Sequence, residues 1–183
     1  MARSVTGSFW LTETVQGATA AAGITQGTID LGAYIDVGGQ LGIAIEQVDL
    51  VWQRYDVTND VYDGNIPAGS IGNMTLDAQL SDNNPGLAIL RADSNTLIAS
   101  GTTFIDDTNQ VATNAADLYP DTFGKLDEAY MVINDQLYCT TDVGGTVAPN
   151  MALACTFRIK CRIVKLSTKD WMAIAVQSTA ADN

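Results

Sequence analysis

The feature that most constrains the fold is a long alternation of apolar residues towards the C-terminal end of the chain. Between residues 151 and 163 every second side chain is apolar, with Cys155, Phe157 and Ile159 in the middle of the run. A period of two is that of a β-strand with one buried face, because a helix brings residues three and four apart onto one face. Thirteen residues at about 3.3 Å each span roughly 43 Å, so we expect this strand to bend or to cross between partners.

The same alternation recurs along the chain and predicts a mostly β protein. Further strands are predicted over residues 28–37, 41–52, 74–80, 87–91, 96–105, 130–133 and 136–140. The apolar positions of residues 41–52 change phase once, which predicts a bulge or bend at Glu46 and Gln47. Asn134 and Asp135 are predicted to form a two-residue hairpin turn. Seven to nine strands without strand–helix alternation indicate an antiparallel β-sandwich or barrel.

The C-terminal segment alone has a helical pattern. Ser167 and Asp170 have the spacing of a capping box in which Asp replaces the usual Glu. Trp171, Ile174 and Ala175 follow at helical spacing and are expected to pack on the sandwich. A further strand is the alternative at this position. Residues 1–27 are predicted to form an N-terminal arm or edge segment, and residues 28–183 a single domain.

Charge is distributed unevenly along the chain. Residues 1–157 contain nineteen acidic and four basic residues, a net charge of −15, whereas residues 158–183 contain two acidic and five basic residues, a net charge of +3. Arg158, Lys160 and Arg162 alternate with the apolar positions of the long strand, so they give it a cationic face. Such a face on an acidic protein suits contact with another acidic surface, including a second copy of the chain.

We therefore predict an assembly interface formed by Arg158, Lys160 and Arg162, together with Trp10 of the N-terminal segment. An aromatic residue on a terminal arm can be anchored in a neighbouring subunit, although local packing of Trp10 is the alternative. For the basic residues the alternatives are a solvated strand face and a contact with nucleic acid or anionic lipid.

The residue types argue against catalysis. The chain contains no histidine, which removes Ser-His-Asp and Cys-His chemistry and the usual general base near neutral pH. No glycine-rich phosphate loop is present, and no spacing singles out a pair of catalytic carboxylates. The three cysteines, Cys139, Cys155 and Cys161, lack metal-ligand spacing and are expected in the core. We expect no enzyme activity, no catalytic residue and no cofactor.

One loop contains hard oxygen ligands at short spacing. Asp56, Asp60 and Asp63 are the candidate residues for a Ca²⁺ site there. Their spacing is not that of an EF-hand, so a solvated turn without a metal is the favoured interpretation.

An acidic chain is a poor partner for nucleic acid, because phosphate binding needs a basic surface. The N-terminus has no pattern of a secretory signal, and no apolar run approaches the length of a membrane span. We expect a soluble product made in a cytoplasm.

The polar N-terminal segment, the alternating runs at 28–37 and 41–52, and the basic closing strand at 157–166 together resemble small single jelly-roll capsid proteins of tailless icosahedral viruses. The resemblance implies a jelly roll of about eight strands with a short C-terminal helix. It also implies a capsid subunit that assembles with copies of itself into an icosahedral shell and that is located in the virion after synthesis in the host cytoplasm.

Further partners that this resemblance allows are a second capsid protein and an internal viral membrane. The chain lacks the basic arm with which small RNA-virus coats hold their genome, so no sequence-specific binding of nucleic acid is expected. The alternative function is that of a β-sandwich binding module, which recognises carbohydrate or a cell surface or belongs to a fibre or surface layer.

Overall fold

A computed structural model describes residues 2–17, 22–115, 123–124 and 126–180. In these ranges the chain forms eleven strands and one α-helix. The strands are β1 (Arg3–Ser4), β2 (Phe9–Gln16), β3 (Gly23–Asp30), β4 (Leu41–Asp56), β5 (Val61–Asp63), β6 (Ser70–Ser81), β7 (Leu97–Asp106), β8 (Val111–Asn114), β9 (Tyr130–Val132), β10 (Gln136–Val147) and β11 (Met151–Lys165), and the helix is α1 (Thr168–Ala180). Short 3₁₀ turns occupy Ile66–Gly69 and Leu126–Glu128.

The strands form two antiparallel sheets that pack face to face. In the first sheet β11 lies between β4 and the N-terminal strands β1 and β2, while β5 and β9 pair with the other edge of β4. The second sheet has the order β3-β10-β6-β7-β8. The two four-strand orders β2-β11-β4-β9 and β3-β10-β6-β7 are those of a jelly roll, in which two Greek keys interlock. The predicted antiparallel sandwich with a short C-terminal helix is confirmed.

The core lies between the two sheets and follows the alternation of the sequence. Leu153, Phe157 and Ile159 of β11 are fully buried and belong to the same core cluster as Leu76 of β6 and Leu137 of β10. The three cysteines are buried free thiols in this cluster, as expected from their positions. Burial raises the pKa of the Cys161 thiol to about 12, so it remains protonated and acts as a small apolar side chain.

The predicted bulge at Glu46 is confirmed by the register of β4 and β11. Lys160 pairs with Gln47, but its neighbour Cys161 pairs with Ile45. Glu46 is therefore an extra residue in β4, and it lets the apolar positions on both sides of it face the core.

Two of the strand predictions were wrong because side chains of the turns compete with strand pairing. The strand predicted over residues 28–37 begins earlier, as β3, and ends at Asp30. Carboxylates of Asp30 and Asp36 accept hydrogen bonds from the backbone N–H groups two residues later, which turns the chain. Residues 87–91 form no strand. The side-chain amide of Gln79 exchanges two hydrogen bonds with the backbone of Leu90 and takes the place of strand pairing.

The predicted hairpin at Asn134 and Asp135 was also wrong. β9 pairs with β4 in the first sheet, whereas β10 pairs with β3 and β6 in the second. The chain therefore crosses between the sheets at this turn. The side-chain amide of Asn134 donates a hydrogen bond to the backbone carbonyl of Asp82, 2.7 Å away, and holds the crossing in place.

The N-terminal segment contributes strands to both sheets. β1 and β2 pair with β11 at one edge of the first sheet, and β3 pairs with β10 at one edge of the second. The helix predicted after Ser167 is confirmed, and it is α1 rather than a further strand.

Candidate assembly interface

Helix α1 covers one end of the outer face of the first sheet. There Ala44, Val164 and Leu166 form a second buried cluster, on which Trp171 and Ile174 of α1 pack. The helix thus converts one end of the outer face into a small core. Beyond it Trp10 and Arg158 are exposed, whereas Ala152 and Ala154 near the start of β11 are buried.

The open part of this face contains three of the predicted interface residues, Trp10, Arg158 and Lys160, which we call the cationic face. Lys160 lies directly opposite Trp10 in the pairing of β2 with β11. The guanidinium carbon of Arg158 lies 4.9 Å from the centre of the Trp10 ring, a cation–π contact. Trp10 remains 42% exposed. A partly exposed aromatic side chain is therefore held by one cation and lies next to a second cation on the surface.

One carboxylate adjoins the cationic face. Asp49 of β4 lies directly opposite Arg158, and it accepts a hydrogen bond of 2.7 Å from the side-chain amide of Gln47. The cationic face keeps an excess of one positive charge when Asp49 is included.

The fourth predicted residue, Arg162, has an internal partner. Its guanidinium forms an ion pair with the carboxylate of Glu46, and both side chains are largely buried, at 17% and 6% exposure. Ser8 connects the pair, since its hydroxyl donates to Glu46 and accepts from Arg162 at 2.8 and 2.9 Å. The sequence located the bulge at Glu46, but the pairing of its carboxylate with Arg162 depends on the register of β4 and β11, which no local pattern shows.

The three candidate metal ligands each have their own local partner. Asp56, Asp60 and Asp63 bond to the side chains of Asn59, Tyr55 and Arg54, respectively. The hydrogen bonds from the Arg54 guanidinium hold the pKa of Asp63 below its usual value. Within the part of the chain that the structure describes, no three His, Cys, Asp or Glu side chains lie where they could hold a metal ion.

The structure also brings together two acidic residues that sequence analysis did not connect. Asp77 of β6 and Asp142 of β10 lie directly opposite each other on the outer face of the second sheet. Burial and the charge of Asp77 raise the pKa of Asp142. Alternation alone shows that each side chain points outward, but the pairing of strands so distant in sequence is set by the fold.

Comparison with models of known protein families and with curated proteins finds no match for this chain. No helix within the described ranges has the length and apolar character needed to cross a membrane.

Proposed function

We propose that this protein is a structural subunit that assembles with copies of itself, and that the assembly is the shell of a virus. The observation that carries the proposal is the cationic face, in which Arg158 lies over the ring of Trp10 and Lys160 lies opposite Trp10 in the strand pairing. Tryptophan and arginine are the residues that most often dominate the energy of protein interfaces.

Charge supports a second copy as the partner. The chain has a formal net charge of −12 at pH 7, so every other copy offers acidic surface to the cationic face. Opposite charges of this kind steer association and fix the orientation of the partners. The contact of Arg158 with Trp10 also holds both side chains before binding, which reduces the entropy that they lose in an interface.

The fold is compatible with this proposal, although a jelly roll also occurs in lectins and cannot decide function. The viral part of the proposal rests on the resemblance of the strand pattern to small jelly-roll capsid proteins. Copies of the chain are the proposed partners, and a second capsid protein or an internal membrane belongs to the same proposal.

A carbohydrate- or cell-surface-binding module is the second candidate function. Tyr55 and Tyr62 favour it, because their rings stack with centres 4.5 Å apart at the edge of the first sheet and Tyr62 is exposed. Exposed aromatic rings are suited to stacking on sugars. This function predicts a monomer or a small oligomer.

Electron microscopy of the purified protein, together with sedimentation velocity, separates the two functions. We expect ring-shaped capsomers or closed shells over a range of protein concentration and salt. A protein that remains monomeric at all concentrations and salt conditions, and that binds glycans, would overturn the capsid proposal and establish the binding module.

A further inference from the structure

The outer face of the second sheet is buried at one end and more exposed at the other. At the covered end Gln79 and Thr140 are buried, and the amide of Gln79 is hydrogen-bonded to the backbone of Leu90. At the open end lie Asp77 and Asp142. Because residues 148–150 join the end of β10 to the start of β11, and α1 follows the other end of β11, this open end lies away from α1.

A groove adjoins the two carboxylates on this open end. Gly144, Thr75 and Phe104 form a row across three neighbouring strands, one side-chain position along from Asp142 and Asp77. These three residues line an open groove of about 380 Å³, and Phe104 is 48% exposed beside it. The Thr75 hydroxyl packs against the backbone of Gly144, where a side chain would not fit. We call the set Thr75, Asp77, Phe104, Asp142 and Gly144 the acidic groove.

The acidic groove and the cationic face complement each other in charge and in shape. In the cationic face Trp10 and Lys160 share one row of side chains, and Arg158 lies in the next row. The acidic groove has one recess and two carboxylates in adjacent rows. Neighbouring rows on one face of a strand are about 6.6 Å apart in both sheets, so Arg158 lies as far from the ring as the carboxylates lie from the recess. Lys160 has a long, flexible side chain that can extend towards the same row.

Repulsion between the two carboxylates of the acidic groove favours the binding of cations there. Like charges directly opposite each other in a sheet destabilise the pairing of their strands. The hydroxyl of Thr102 donates a hydrogen bond to Asp77. No basic side chain of the described residues forms an ion pair with Asp77 or Asp142. Cations from a neighbouring molecule would relieve this repulsion.

We propose that the acidic groove binds the cationic face of a second copy of this chain, with Trp10 in the groove beside Gly144 and with Arg158 and Lys160 opposite Asp77 and Asp142. This inference rests on the proposed function, since it names the two surfaces that meet during self-assembly. The two surfaces belong to different sheets, so the contact is heterologous. A bound pair leaves one cationic face and one acidic groove free for further copies, and the series closes into a ring where the rotation between copies permits.

Complementary charge reversal tests this pairing. The variant Arg158→Glu/Lys160→Glu has two acidic surfaces, and the variant Asp77→Lys/Asp142→Lys has two basic ones. We expect each variant alone to lose assembly, with an association at least tenfold weaker than that of the wild type. An equimolar mixture is expected to regain assembly, because each surface then meets one of opposite charge. Sedimentation velocity and electron microscopy measure all three samples.

The matched control is Asp93→Lys/Asp135→Lys, which makes the same change in net charge on exposed positions outside the groove and is expected to assemble like the wild type. Circular dichroism verifies folding. If Asp77→Lys/Asp142→Lys does not fold, Asp77→Asn/Asp142→Asn replaces it and is expected to weaken assembly severalfold relative to the wild type.

The outcomes separate this inference from the proposed function. If the wild type assembles and the groove variants assemble equally well, the pairing of the two surfaces is overturned. Self-assembly itself is then still supported. Variants that lose assembly but are not restored by mixing also overturn the pairing. A wild type that stays monomeric overturns the proposed function and the pairing with it.

Discussion

At the scale of single residues, the ion pair of Glu46 and Arg162 shows how a bulge changes the role of a side chain. Arg162 lies on the same face of β11 as Arg158 and Lys160, but the extra residue in β4 brings a carboxylate to its guanidinium. A buried charge that loses its partner destabilises a protein much more than an exposed one.

Arg162→Ala is therefore expected to lower the free energy of unfolding by about 3–5 kcal/mol, because it leaves Glu46 buried without its partner. Arg158→Ala, on the same strand, removes only a surface contact and is expected to cost about 1 kcal/mol or less. Urea denaturation of the two variants measures both values. Equal losses of stability would contradict the different roles assigned to the two arginines.

Asp82 is a second residue whose surroundings change a measurable property, the pKa of its carboxyl group. It directly follows β6 and is 5% exposed. The hydroxyl of Tyr130 lies 3.3 Å from its Oδ2 atom and 2.9 Å from the backbone carbonyl of Asn95. The other carboxylate oxygen, Oδ1, accepts no hydrogen bond from the described residues. Burial raises the pKa of this carboxyl to about 6.

Because its pKa is higher in the folded protein than in the unfolded chain, Asp82 binds its proton more tightly when the protein is folded. Its contribution to stability is therefore fully present below about pH 4 and is lost as the pH rises to about 6, a change of about 3 kcal/mol. Asp82→Asn removes this titration. We expect the variant to gain stability over the wild type between pH 4 and pH 6, as measured by urea denaturation at several pH values. A difference in stability between the variant and the wild type that does not change with pH would contradict the assigned pKa.

At the scale of elements, the stability and position of α1 depend on the hydrogen bonds of its first turn. The hydroxyl of Ser167 accepts a hydrogen bond from the backbone N–H of Asp170 at 3.2 Å and donates one to its carboxylate at 2.8 Å. The bond from the backbone N–H of Asp170 is the N-cap half of the predicted capping box, but the Asp170 carboxylate bonds to the Ser167 hydroxyl instead of to the Ser167 backbone N–H. It positions Trp171 and Ile174 over the cluster around Val164.

Ser167→Ala is expected to lower stability by about 1 kcal/mol, because the first turn of α1 loses its cap. Hydrogen exchange is expected to accelerate in the first turn of the helix more than in β11. Ser167→Thr keeps a hydroxyl at the same position and serves as the control. Equal protection of the first turn in the Ala and Thr variants would show that the cap does not hold the helix.

Local patterns were sufficient to predict the elements whose structure is decided locally. The alternation of residues 151–163 predicted β11, and the change of phase at Glu46 predicted the bulge in β4. The same kind of pattern failed at residues 31–37, where the carboxylates of Asp30 and Asp36 bond to the backbone and favour turns over strand pairing.

Pairing between distant segments was not predictable from one sequence. Residues 130–140 have the pattern of a hairpin, but the competing partners β4 and β6 draw their two strands into different sheets. For the same reason sequence analysis placed Arg158 and Lys160 on an outer face but missed the internal partner of Arg162. It also missed the juxtaposition of Asp77 and Asp142, whose strands meet only in the folded protein.

At the scale of the whole molecule, the fold leaves the function open and the surfaces restrict it. A jelly roll can form a shell or bind a ligand. In this protein, the outer face of each sheet carries a charged cluster, the cationic face on the first and the acidic groove on the second, and the two clusters have opposite net charge. This polarity is the basis on which we propose that copies of the chain stack through their sheets.

Sedimentation velocity of the wild type beside Trp10→Ala/Arg158→Ala/Lys160→Ala tests the central claim most directly, since the claim is that the cationic face joins copies of the chain. Circular dichroism first establishes that both proteins are folded. We predict that the wild type sediments as a large assembly and that the variant sediments as the 19.4 kDa monomer at the same concentration and salt. A variant that assembles as the wild type does, or a wild type that remains monomeric, would contradict the claim.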